Sequence, residues 1–346
     1  MVAMTQLSLL DLVPVIEGGT VSQALSHAAD LAVHAENLGY RRYWTAEHHG
    51  MPGIASAATS VVLAHVGAAT KTIRIGAGGI MLPNHAPLAI AEQFGTLEAL
   101  FPGRVDLGLG RAPGSDQRVA QAMRRTLMGG AEHFPQDVRE LQAYFADDPQ
   151  AGFQATPGAG AKVPLWILGS SLYGAQLAAA FGLPYAFASH FAPDMLDEAL
   201  HIYRRDFRPS EQLQQPYVMA GFNIFAADTR EEAELIATSM MQSFVALRTG
   251  RPGRIQPPVA GYRESLPMQA QAMLAQVLQC SSIGTQEDVE RDLGAFVRRT
   301  RADEVIVGGI MYDHDARKRS FQIAMAAARA IPDETLSSDA PEIAAQ

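Results

Sequence analysis

Arg42-Tyr-Trp-Thr-Ala-Glu-His-His49 is an apolar, aromatic-rich run that closes on a carboxylate and two imidazoles. It reads as a buried strand. Ionisable groups at the end of such a strand are where α/β barrels build their sites. Three later strands also finish in glycine, arginine or serine, so function is expected at the strand ends.

Outward from this run, β-rich segments alternate with helical patterns. Strands are expected at 7–13, 42–49, 73–82, 104–111, 164–171, 184–191, 217–226 and 304–311, each followed by a helical segment such as 21–38 or 57–69. Strand–helix alternation calls for a parallel sheet, and eight units is the number that closes a TIM (β/α)8 barrel. One insertion, 248–281, rich in Pro, Gly and Gln, separates the seventh and eighth units and reads as a cover over the site. A single domain over 1–332 is expected, with a disordered tail at 333–346 that is mostly Pro, Asp, Ser, Ala and Glu.

Composition narrows the partners. The 346 residues are 48% hydrophobic and 18% charged, with a net charge of −9 and no Lys/Arg-rich run. That argues against nucleic acid or an anionic membrane and for a small molecule. The first ten residues lack a basic region and no segment approaches a membrane span, which reads as cytoplasmic. One cysteine, Cys280, excludes an internal disulfide framework and a cysteine metal cluster.

The strand ends carry the chemistry. Ile75-Gly-Ala-Gly-Gly-Ile-Met81 holds three glycines inside a strand, which reads either as a β-bulge or as backbone that approaches a ligand. Leu107-Gly-Leu-Gly-Arg-Ala-Pro-Gly114 has glycines at 108, 110 and 114, a poor dinucleotide fingerprint, and Pro113 blocks an ordinary helix start. Arg111 reads as a guanidinium aimed at an anion or as half of a structural ion pair. Leu168-Gly-Ser-Ser-Leu-Tyr-Gly-Ala175 runs into a helix at 176–181. Ser171 is there either a plain helix cap or part of an anion site, and a phosphate shared with Arg111 on one barrel face favours the second.

If the second strand continues through them, His48 and His49 point to opposite faces and cannot both ligate one metal. There is no His-x-His or His-Glu-x-x-His motif, which disfavours a metal hydrolase. Convergence of Glu47, His48, His85 and His190 stays open, as does a purely structural use of the histidines.

Trp44-Thr-Ala-Glu-His-His49, the glycine strand with Met81-Leu-Pro-Asn-His-Ala-Pro87, and Ala91-Glu-Gln-Phe with Gly103-Arg-Val-Asp-Leu-Gly-Leu-Gly-Arg111 occur in that order. Together they resemble the bacterial luciferase-like flavin monooxygenase family. Arg111-Ala-Pro-Gly-Ser-Asp-Gln117, Leu168-Gly-Ser-Ser-Leu-Tyr173 and Ala188-Ser-His-Phe-Ala-Pro-Asp194 resemble its YhbW-like branch in particular. The resemblance spans 7–329 and includes Ile283-Gly-Thr-x-Glu-Asp-Val289.

It implies a TIM-like barrel, usually dimeric, that receives reduced FMN from a separate reductase and uses O2. By position it implies His48 as the active-site histidine, and Gly78-Gly79 as the place of a cis peptide against the flavin ring. Arg111 and Ser171 fall at the phosphate-binding arginine and serine. Gly110, Gly169, Ser170 and Gly174 also fall at the flavin site, though Ser170 replaces a glutamate, Gly110 a cysteine and Gly174 a threonine. Those departures leave phosphate binding in place and argue against light emission. The expected function is an FMN-dependent monooxygenase acting on a small apolar organic substrate, with no metal. A deazaflavin (F420)-dependent reductase and a catalytically silent flavin-binding protein are the alternatives.

Overall fold

The computed structural model describes residues 6–111, 122, 132–146 and 153–331. Nine strands occur among them: β1 (Gln6–Asp11), β2 (Arg42–Thr45), β3 (Arg74–Met81), β4 (Val105–Gly110), β5 (Leu165–Gly169), β6 (Tyr185–Phe187), β7 (Val218–Ala226), β8 (Ser281–Gly284) and β9 (Glu304–Gly308). All their pairings are parallel, and the ring β1-β2-β3-β4-β5-β6-β7-β9 closes through β9 on β1. This is the expected TIM barrel. In an eight-membered ring β2 and β6 lie four strands apart in either direction, so they face each other across the barrel axis.

The strands form because their residues are buried on both sides, as in β7, where all nine are buried. The helices begin and end on local signals. Thr20 and Gln23 make a reciprocal capping box at the start of helix Val21–Leu38, and Gly39 ends it with φ of 89°. Among the described residues no helix is long and apolar enough to cross a membrane.

Trp44, Trp166, Met219 and Ile306 fill the barrel interior, with the two indoles edge to face at 5.1 Å. Gly76 and Gly78 make room for this packing. A Cβ would stand 2.5 Å from Trp44 Nε1 at the first and 2.9 Å from Trp44 Cε3 at the second. The glycine run thus serves the core, while the register also shifts by a bulge between Gly78 and Ile80 and the Gly78–Gly79 peptide is cis. Below the indoles, Arg42 binds Asp106 at 2.6 Å and Glu304 at 3.0 Å, and all three are buried. Ser8 and Tyr217 also donate to Glu304.

Several expectations need correction, among them the strand expected over 184–191, which ends at Phe187 and leaves His190 beyond it. β2 stops at Thr45, because the Ala46 carbonyl is taken by Ser56 Oγ at 2.6 Å and the chain leaves the sheet. The helix after β5 starts at Leu172, not residue 176, so the serines sit directly on its first turn. The helix expected from residue 57 begins at Thr59. A ninth strand, β8, was missed; it lies outside the ring and pairs with the far half of β7, which the short β6 leaves free. The insertion carries helices Tyr262–Ser265 and Met268–Val277, and Gln276 reaches Asp194 beyond β6 at 2.8 Å. Cys280 at its end is buried. Residues 112–117 of the arginine motif and the expected tail lie outside the described residues.

Candidate active site

The C-terminal ends of the strands gather the candidate residues on one face. Glu47, two residues past β2, is 1% exposed and collects four donors: Met81 N–H at 2.9 Å, Asn84 Nδ2 at 3.2 Å, His85 Nε2 at 2.9 Å and His49 Nε2 at 2.6 Å. Burial alone raises a carboxyl pKa. Here the hydrogen bonds from His85, His49 and Met81 outweigh it and hold Glu47 below the usual range. The residue missed as a site organiser is therefore Glu47. Its signal was the row of amide and imidazole donors in Met81-Leu-Pro-Asn-His85.

His48 and His49 part company, although not through strand alternation. His49 turns to Glu47, whereas His48 is half-buried with its Nδ1 enclosed and without a hydrogen-bond partner. Burial pushes its pKa down; the nearby Ala46 carbonyl and the Glu47 charge oppose the shift without reversing it. His190, beyond β6, is also half-buried with an unpartnered Nδ1, and burial followed by the His48 ring lowers it to about 4. Both imidazoles are thus neutral near pH 7. The four groups raised as possible metal ligands divide into Glu47 with His85 and His48 with His190, and no set of three or more His, Cys, Asp or Glu among the described residues is arranged to hold a metal ion.

A second cluster lies at the ends of β4 and β5, which are neighbours in the ring. Arg111 is exposed, and its guanidinium stacks 4.0 Å from the centroid of the Tyr173 ring. Ser171 caps helix Leu172–Phe181 in extended conformation, yet its hydroxyl makes no capping hydrogen bond, which leaves it and the first-turn N–H groups open to a ligand. The Ser171 carbonyl accepts from Tyr185 Oη at 3.2 Å. Gly169 and Gly174 bring strand and helix together: a Cβ on either would rest 3.6 Å from the other's Cα. Ser170 is exposed beside them, and Gly110 is half-buried against Met81. Tyr173, the stacking platform, was quoted in the sequence motif but not singled out.

This is one mouth: imidazoles, a cis Gly-Gly step and an unspent arginine and serine at the strand ends of a closed barrel. A profile of the luciferase-like monooxygenase family matches residues 6–304. The chain belongs to that family. Within it, a luciferase-like monooxygenase from Escherichia coli K12 is 54% identical over 92% of this chain and 95% of its own length. An N-acetyl-S-alkylcysteine monooxygenase from Bacillus subtilis is 31% identical over 92% and 97%. Among solved structures, apo-MsnO8 superposes with a TM-score of 0.84 at 30% identity, covering 95% of this chain and 99% of the other. The oxygenating constituent of 3,6-diketocamphane monooxygenase from Pseudomonas putida, solved with FMN, shares the family's fold at a TM-score of 0.71 and 16% identity, with 95% and 99% covered.

Proposed function

We propose that the protein is a flavin-dependent monooxygenase that takes reduced FMN from a separate reductase and, with O2, oxidises a small apolar organic substrate. The observation that carries this reading is the pair Arg111, just past β4 with a ring contact to Tyr173, and Ser171, whose hydroxyl makes no capping hydrogen bond at the start of its helix. That set suits a dianionic phosphate. When bound, reduced FMN supplies the two electrons that let one oxygen atom of O2 enter the product while the other leaves as water.

The protein's own residues do the rest. Arg111, the Ser171 hydroxyl and the first-turn N–H groups hold the phosphate. Gly169, Ser170 and Gly174 would bring the backbone close to it, and Gly78, Gly79 and Gly110, on β3 and β4, would make room for the ring. His48, with Nδ1 buried, presents Nε2 to the reactants and holds or passes a proton there. The N-acetyl-S-alkylcysteine relative makes thioethers the first substrate class to try.

The test mixes photoreduced FMN, the protein and either an uncharged thioether such as methyl phenyl sulfide or a cyclic ketone in an oxygen electrode, followed by mass spectrometry. Oxygen uptake with a product heavier by one oxygen atom supports the reading. Flavin binding without any turnover would make the protein a silent binder, and hydride transfer without oxygen uptake would make it a reductase.

A further inference from the structure

β2 and β6 stand opposite each other in the ring, with His48 in the residues just past the end of one and His190 just past the end of the other. The His48 ring stands near enough to His190 to help lower its pKa, after burial. A histidine used only for packing ordinarily has its buried nitrogen hydrogen-bonded. His190 buries Nδ1 without a partner, whereas His48 has the Ala46 carbonyl beside it.

The placement of His190 is heavily built. Ser189 Oγ donates to the Gly221 carbonyl at 2.6 Å, and Asn223 Nδ2 donates to the His190 carbonyl at 2.8 Å, which pins the turn after β6 onto β7. Between those two anchor points the ring lies on Gly221. A Cβ at that position would fall inside the van der Waals envelope of His190 Nδ1, so every side chain other than hydrogen expels the ring. A glycine in the middle of Val218-Met-Ala-Gly-Phe-Asn223 costs strand stability, and the imidazole is what occupies the space it provides.

We propose that His190 is a second active-site imidazole, reaching across the barrel mouth from the wall opposite His48 to border the volume the reactants occupy, with Gly221 present to admit it. This rests on the flavin reading above. Neutral imidazoles on two sides suit a substrate whose polar group is an uncharged acceptor, such as a carbonyl or a thioether, more than a carboxylate. Glu47 and His49 are the ionisable groups that act on His48, and they are its chain neighbours.

The experiment is long-range 1H–15N correlation NMR of the imidazoles in the full-length labelled protein. In the wild type His190 should stay neutral from about pH 8 to about pH 5, and in His48→Gln its protonation should move to higher pH. A His190 that titrates like a free imidazole, or that ignores His48→Gln, overturns the proposal. Oxidised FMN, added as probe, should then shift the ring signals of both histidines. In Gly221→Ala the His190 shift should be lost and that of His48 kept. His190→Gln should alter the His48 signals in the same spectra. A shift confined to His48 overturns the proposal. Failure of FMN to bind at all defeats the flavin reading instead, and the first titration then decides the pair.

Discussion

Glu47 grips the chain at Gly79 from both directions: its N–H donates to the Gly79 carbonyl at 3.0 Å, and its carboxylate accepts the Met81 N–H two residues on. A single side chain beyond β2 thereby fixes the end of β3. Glu47→Gln should destabilise the protein by about 1–3 kcal/mol at neutral pH, since an amide cannot accept from all four donors. A carboxyl lowered on folding contributes stability above its usual value of 4.5 and loses it as pH falls through the lower, folded value. The gap between variant and wild type should therefore narrow in acid. Urea melts across that range check this, and coincident melts at neutral pH would refute the brace.

Arg111→Ala should weaken FMN binding by about 1.5–3 kcal/mol and riboflavin binding little, because only FMN carries the phosphate. Ser171→Ala should act in the same direction with a smaller loss. Fluorescence titration of both flavins decides it; equal losses for the two would remove the phosphate role.

His48→Ala should leave FMN affinity nearly intact and lower product formation by about 10²–10⁴-fold, the scale of general acid–base catalysis. His49→Ala, which loses a bond to Glu47 instead, should cost stability more than turnover. Stopped-flow oxidation of reduced FMN together with product analysis separates the two.

His190 adds a pH signature. Its folded value of about 4 lies below the usual 6.5, so the unfolded chain binds more protons between the two. Stability is complete above the higher value, falls as pH drops towards the lower one and is constant below it. The loss is at most about 3 kcal/mol and smaller where water reaches the ring. Thermal melts of His190→Gln should show a flatter profile across that window; an unchanged slope would contradict the burial of the neutral ring.

Val61 and Leu100, on helices Thr59–Ala69 and Pro87–Leu100, are 68% and 59% exposed. A second copy of the chain covering this side is the expected arrangement. Light scattering at micromolar concentration should give twice the mass of one chain, and Val61→Glu should halve it.

The barrel was legible because its strands are buried on both faces and read as largely apolar runs, as Val218–Ala226 does. The strand ends were not. Where β2 stops depends on Ser56, ten residues on, capturing the Ala46 carbonyl. Strand β8 has four residues, and its edge exists only because β6 ends after three. The glycine strand was visible, but its partner Trp44 sits on the neighbouring strand, opposite Gly76, a register that the sheet alone sets. Arg111, Ser171 and His48 were all named from the sequence. The facing of His190 by His48 required knowing which strands stand across the axis.

Beneath the tryptophans, buried Asp106 and Glu304 share Arg42, and Arg74 also pairs with Asp106, so that ion pairs plug the lower end of the barrel. The fold is a cup, not a pipe. A cofactor anchored at Arg111, a substrate and dioxygen would then share a single doorway, and the order in which they pass it becomes a property of the architecture.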